Sequence, residues 1–175
     1  MSKSNNIFLV GPMGAGKTTI GRQLAKKLSK RFYDSDHEIE KRTGADIPLI
    51  FEIELEEGFR KREAKVLAEL VELDNIVLST GGGAVLDVDN RRKLKEHGRI
   101  VYLKSSPEKL LKRTAGDKRR PLLQGDDKIT KITAILSERE PLYIELADEI
   151  IETDKLSIKQ ILQTVIKLIN EHENS

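Results

Sequence analysis

Apolar residues along this chain alternate between two kinds of run. Short unbroken stretches occur at 7–10, 76–78 (within the segment 76–79) and 100–103, with briefer ones at 32–33 and 150–151 (within the segment 149–152). Runs of this length bounded by turn residues read as strands buried on both faces. Between them, apolar positions recur at helical spacing: Ile20, Leu24, Ala25 and Leu28, then Phe59, Val66, Leu67, Leu70 and Val71 within 56–73, with Glu63 on the same side. After Ser157, a good N-cap, come Ile158, Ile161, Leu162, Val165, Ile166 and Ile169 on one face of a closing helix. Further helices are predicted from Asp36 to Arg42 and ended by Thr43-Gly44, at 89–97 closed by Gly98 as a C′ residue, and from Ser106-Pro107. Pro48 starts or interrupts a short segment, and Pro141 is expected to kink or break a helix that begins near Lys128. Strand and helix in strict alternation predict an α/β fold: three layers, α/β/α, around a five-stranded parallel sheet, in one domain spanning 1–175.

The first strand runs directly into Gly11-Pro-Met-Gly-Ala-Gly16-Lys17-Thr18, followed by a helical pattern. This is a phosphate-binding loop in the context it requires. Gly11, Gly14 and Gly16 let the backbone turn its N–H groups inward, where a side chain would force φ > 0. The amides of Gly14, Ala15, Gly16, Lys17, Thr18 and Thr19 are thereby offered to phosphate oxygens, with the positive end of the next helix behind them. Lys17 can reach β- and γ-phosphates, and the Thr18 hydroxyl can ligate Mg²⁺. The motif implies a bound nucleoside triphosphate.

Composition narrows the picture further. The 175 residues carry 31 basic and 29 acidic side chains, a net charge of +2, which is no nucleic-acid footprint. Cysteine is absent, excluding disulfides and thiolate chemistry. No apolar run reaches membrane-spanning length and no signal-type segment opens the chain, so a soluble cytoplasmic protein is expected. Aromatic residues are few, so the core must be aliphatic. The sequence assigns His37 and His172 no role, and His97 reads as a cation at a helix end.

Other candidates for chemistry cluster at strand ends. Asp34 and Asp36 follow the second strand, where open α/β sheets place ligands, although Asp36 could serve only as a helix N-cap. Gly81, Gly82 and Gly83 follow the strand at 76–79 and leave backbone bare for close ligand approach. That strand lacks the terminal acid of a typical Walker B site. Residues 112–125 are basic and punctuated by glycine, without an apolar face, and read as a phosphate-facing lid.

Taken together, Gly11 to Thr18, Asp34-Ser-Asp36, Phe59-Arg60-x-x-Glu63, Gly81 to Gly83, Arg119-Arg-Pro-Leu-Leu123 and Arg139-x-Pro-Leu-Tyr143 resemble the shikimate kinase family, across nearly the whole chain. The resemblance implies transfer of the ATP γ-phosphoryl group to the 3-hydroxyl of shikimate in aromatic amino-acid biosynthesis. It also implies a substrate-binding region at 34–62, one Mg²⁺ with the ATP, and a monomer with no nucleic-acid or membrane partner. By the same resemblance Asp36, Arg60, Gly82 and Arg139 bind shikimate, the two arginines at its carboxylate and Asp36 at its ring hydroxyls. Asp34 would reach the metal through water, and Arg113 and Arg120 would contact the nucleotide, with Arg120 poised on the phosphates. A kinase acting on another small acid, such as gluconate, is the nearest alternative; a GTPase switch lacks its N-K-x-D signature here. One departure stands out: Leu55 occupies a position where the family commonly has glycine. If that position needs φ > 0, Leu55 costs strain.

Overall fold

The protein was analysed as a computed structural model, which describes residues 5–115 and 127–174. Five strands, β1 (Ile7–Val10), β2 (Arg31–Asp34), β3 (Ile76–Ser79), β4 (Arg99–Lys104) and β5 (Glu149–Glu152), form one sheet in the order β2-β3-β1-β4-β5. Every pairing is parallel. All four positions of β1 and of β3 are buried, which requires cover on both faces of the sheet. Seven helices supply it among the described residues: α1 (Lys17–Lys27), α2 (Ser35–Thr43), α3 (Ile47–Leu70), α4 (Val88–His97), α5 (Pro107–Thr114), α6 (Lys128–Leu146) and α7 (Ile158–Glu173). A short 3₁₀ turn covers Ala84–Leu86. The core is aliphatic apart from Phe8, Phe59, Tyr102 and Tyr143. No helix among the described residues is long and apolar enough to cross a membrane.

The strand order places the site. Chain leaving β1 goes to one side of the sheet, to β2, and β4 lies on the other side, so the carboxyl end of β1 is the switch point where a ligand crevice opens. The loop 11–16 and the N-terminus of α1 lie there.

Four local expectations are revised. Asp36 is not the N-cap of α2: Asp34 is, accepting from the amides of Asp36 at 3.0 Å and His37 at 3.1 Å. Gly98 does end α4, but its backbone is extended rather than left-handed, and a Cβ there would lie 2.7 Å from the Phe8 ring. Close approach therefore selects this glycine. The helix α6 is not broken at Pro141. Ile132, Leu136, Arg139, Tyr143 and Leu146 are buried at helical spacing on both sides of the proline, and Pro141 and Ser137 are exposed, so water can satisfy the carbonyl the proline leaves unbonded. Finally, the helix expected over 56–73 begins earlier, at Ile47 with Asp46 capping the Leu49 amide at 3.0 Å, and ends at Leu70.

Within α3 the backbone is interrupted at Leu55, with φ 62° and ψ −179°. That region is essentially reserved for glycine. The corner is held from both sides: the Phe51 and Phe59 rings stand 4.8 Å apart, and Arg62 Nε donates to Glu54 Oε1 at 2.7 Å. Leu55 itself is 68% exposed, so its side chain contributes little burial. Relief of roughly 1–3 kcal/mol of strain, less glycine's extra unfolded-state entropy, predicts that Leu55→Gly raises Tm by about 2–4 °C. A melting temperature equal to or below that of the parent would show that the corner stores no more strain than glycine's entropy costs.

Candidate active site

Gly11, Gly14 and Gly16 all have positive φ, at 146°, 84° and 93°, as the inward-turned loop requires. Lys17 is buried and its Nζ donates to the carbonyls of Gly11 and Pro12, both at 2.8 Å, which draws the ammonium back over the loop. The Thr18 hydroxyl donates to Asp34 Oδ2 at 2.6 Å. Asp34 thus uses one carboxylate oxygen to cap α2 and turns the other toward the loop. In the sheet register Asp34 lies beside Ser79, so an acid from the neighbouring strand stands next to the end of β3 that lacks one. Arg113 Nη1, from the last turn of α5, donates to the Gly14 carbonyl at 3.2 Å and to Ser105 Oγ at 3.4 Å.

Opposite the loop, Gly81 to Gly83 form a floor on which four charged side chains rest. A Cβ on Gly81 would lie 2.8 Å from both Asp36 Oδ1 and Glu63 Oε2, and one on Gly83 would collide with the Arg60 guanidinium. On Gly82 it would stand 3.2 Å from the Met13 amide and 3.5 Å from Arg139 Nη1. Bare backbone is needed here for side chains to pack over it, and the expected ligand platform is also their seat. The Gly81 amide donates to Ser35 Oγ at 3.0 Å, tying the floor to the first residue of α2.

Glu63 is the member of this group whose role sequence reasoning did not assign. It is 1% exposed and accepts from Arg60 Nη1 at 2.8 Å. Burial pushes its carboxyl above the usual range, opposed by the charges of Arg60 and then Arg139. The available signal was one acid on the otherwise apolar stripe of Phe59, Val66, Leu67 and Leu70. Arg60 also meets Glu56 at 3.3 Å, and its Phe59 neighbour presents a ring 5.2 Å from the guanidinium carbon. Burial works against the Arg60 charge, but Glu63 and Glu56 outweigh it and raise its pKa further. Arg139 is 3% exposed. Arg60 Nε, Arg139 Nε and Glu63 Oε2 are buried without a hydrogen-bond partner among the described residues. Buried polar atoms are rarely left so, and a ligand bearing both hydroxyls and an anion is the kind of group that would satisfy them.

The two halves share one cleft of about 200 Å³, with Gly14, Lys17 and Thr18 on one wall and Asp36, Gly81 and Gly82 on the other. A larger cleft of about 540 Å³ opens at the carboxyl ends of β4 and β5, between Ser105, Ser106, Glu140 and Asp154. Of the segment 112–125 expected as a lid, everything from Gly116 on, including Arg119 and Arg120, lies outside the described residues.

Sheet order, phosphate loop and facing acceptor cleft define a P-loop kinase of small molecules. The family model for shikimate kinase matches residues 13–170. The shikimate kinase of Nitrosococcus oceani is 55% identical over 168 residues, covering 96% of this chain and 88% of that protein. That of Legionella pneumophila (strain Corby) is 54% identical, covering 95% of each chain. The structure superposes on shikimate kinase from Acinetobacter baumannii in complex with shikimate with a TM-score of 0.96 and 49% identity, over 99% of this chain and 97% of that one. The chain belongs to the shikimate kinase family.

Proposed function

We propose that this protein transfers the γ-phosphoryl group of ATP to the 3-hydroxyl of shikimate, giving shikimate 3-phosphate and ADP, as a cytoplasmic step of aromatic amino-acid biosynthesis. The observation that carries the reading is the shared cleft, which faces Lys17 and Thr18 toward Asp36 and Gly82. The loop amides and Lys17 hold the β- and γ-phosphates, where charge spreads over the transferred group in the transition state. Arg113 links the loop to Ser105, and the nucleoside extends past it into the larger cleft beside Ser106 and Asp154. Arg60 and Arg139 present guanidinium forks to the acceptor's carboxylate, steadied by Glu63. Asp36 orients the acceptor hydroxyl and takes its proton as the new O–P bond forms and the bond to ADP breaks. Thr18 and, through water, Asp34 would hold the Mg²⁺ that accompanies ATP; hard oxygen donors fit that ion, which neutralises phosphate charge.

An assay of ADP release tests this directly. Release should depend on shikimate and should stay at background with gluconate or a nucleoside monophosphate; equal turnover of gluconate would replace the assignment. Truncating one partner of a desolvated charge pair costs about 2–5 kcal/mol. Arg60→Ala and Arg139→Ala should therefore each raise the KM for shikimate on the order of 30-fold or more, with the KM for ATP little changed. A variant with unchanged shikimate KM would remove that arginine from the carboxylate site.

A further inference from the structure

The helix α6 brings two residues to the glycine floor. Arg139 and Tyr143, one turn apart, share a face of α6. Tyr143 is fully buried, its ring 5.0 Å from that of Tyr102. Its hydroxyl donates to the Gly82 carbonyl at 2.5 Å. Phenylalanine would fill the same core space without the cost of burying a hydroxyl, so packing alone does not account for a tyrosine here. The partner it has found is the backbone carbonyl of Gly82, one of the residues lining the cleft. Gly82 is also the point where the two half-sites meet, since its missing Cβ would touch the Met13 amide of the phosphate loop and Arg139 Nη1 of the acceptor side.

We propose that Tyr143 is a positioning residue for phosphoryl transfer: by holding the Gly82 carbonyl it fixes the floor of the cleft and the seat of Arg139 relative to the phosphate loop. The inference rests on the reading of Gly82 and Arg139 as acceptor-binding groups. Burial keeps the phenol well above its ordinary pKa, against the pull of the adjacent Arg139, so the hydroxyl remains a donor at any pH where the enzyme works. The neighbouring Tyr102 hydroxyl donates instead to Glu140 Oε2 at 3.1 Å, away from the floor, and provides an internal control.

The test is Tyr143→Phe beside Tyr102→Phe and Arg139→Ala, with KM for each substrate, kcat and Tm measured. Tyr143→Phe removes the side-chain donor to this part-buried carbonyl, and kcat/KM for shikimate should fall about tenfold while the KM for ATP stays within about twofold. Tyr102→Phe should leave the shikimate parameters at parent values. A drop in Tm with both shikimate parameters unchanged would make Tyr143 a packing residue and overturn the proposal, as would an equal rise in KM for the two substrates. If Arg139→Ala itself leaves shikimate KM unchanged, the acceptor-site reading fails first; if it raises KM and Tyr143→Phe leaves both kcat and KM for shikimate unchanged, only the positioning role fails. Should Tyr143→Phe not fold, 3-fluorotyrosine at position 143 alone preserves the hydroxyl. Its ¹⁹F resonance should move when shikimate is added, and a resonance indifferent to shikimate would overturn the proposal.

Discussion

Replacing Lys17 by alanine should lower kcat by about 10³-fold or more, with the circular dichroism spectrum of the parent retained. The loop is built to put this ammonium beside phosphate: Nζ sits 2.8 Å from each of two loop carbonyls, at the mouth of the cleft shared with Asp36. Charge develops on the transferred group away from bulk water, where a fixed cation is worth far more than in solution. Among the described residues nothing else on that wall duplicates it. Thr18 is neutral, and Arg113 reaches the loop from the Gly14 side through its guanidinium. The fold should survive, because the loop's shape depends on the φ values of Gly11, Gly14 and Gly16 and on α1, with the lost carbonyl contacts open to replacement by water. A modest fall in Tm is expected. Near-parental kcat in a folded Lys17→Ala protein would remove the lysine from the chemistry.

How much of this was legible in the sequence follows from the range of the forces involved. The phosphate loop, the five strands and most helices are specified by near neighbours: positive-φ glycines, continuous apolar runs and helical spacing. Ser106 and Ser157 cap the helices they were expected to cap, with Gln160 completing a capping box at the second. Asp34 and Asp36 were read as candidate site acids, but which of them capped α2 depended on where β2 ends in the sheet. Asp34 won because it is the last residue of the strand, leaving Asp36 in the first turn. Pro141 defeated a local rule because five buried side chains hold α6 together around it. Glu63 and Tyr143 stood in recognisable motifs, yet their partners lie far away in sequence. The Tyr143 hydroxyl meets Gly82 across 61 residues, and no periodicity reports such a contact. Leu55 is the reverse case. Its departure from the family's common glycine raised the question of φ, and φ there is indeed positive, at 62°.

Asp36→Asn should lower kcat by about 10²–10⁴-fold, the range over which a positioned base contributes, while the KM for ATP changes little. The substitution keeps the shape and removes the charge and the proton-accepting oxygen. Two structural facts make the result readable. First, Asp34 caps α2, so an asparagine at 36 does not strip the helix of its cap. What remains is loss of a negative charge near a helix N-terminus, worth about 0.3–1 kcal/mol and visible as a small drop in Tm. Second, Asp36 Oδ1 lies over Gly81 beside Glu63 Oε2, across the cleft from Lys17, where an acceptor hydroxyl would stand between acid and phosphate. Glu63 cannot take over, since it is almost fully buried and committed to Arg60. Base and orienting roles separate by pH: if Asp36 removes the proton, the residual activity of Asp36→Asn should rise with pH as hydroxide replaces it, whereas pure orientation leaves the profile parallel to that of the parent. A variant that loses only thermal stability, at parental kcat, would reduce Asp36 to a favourable charge at the start of α2.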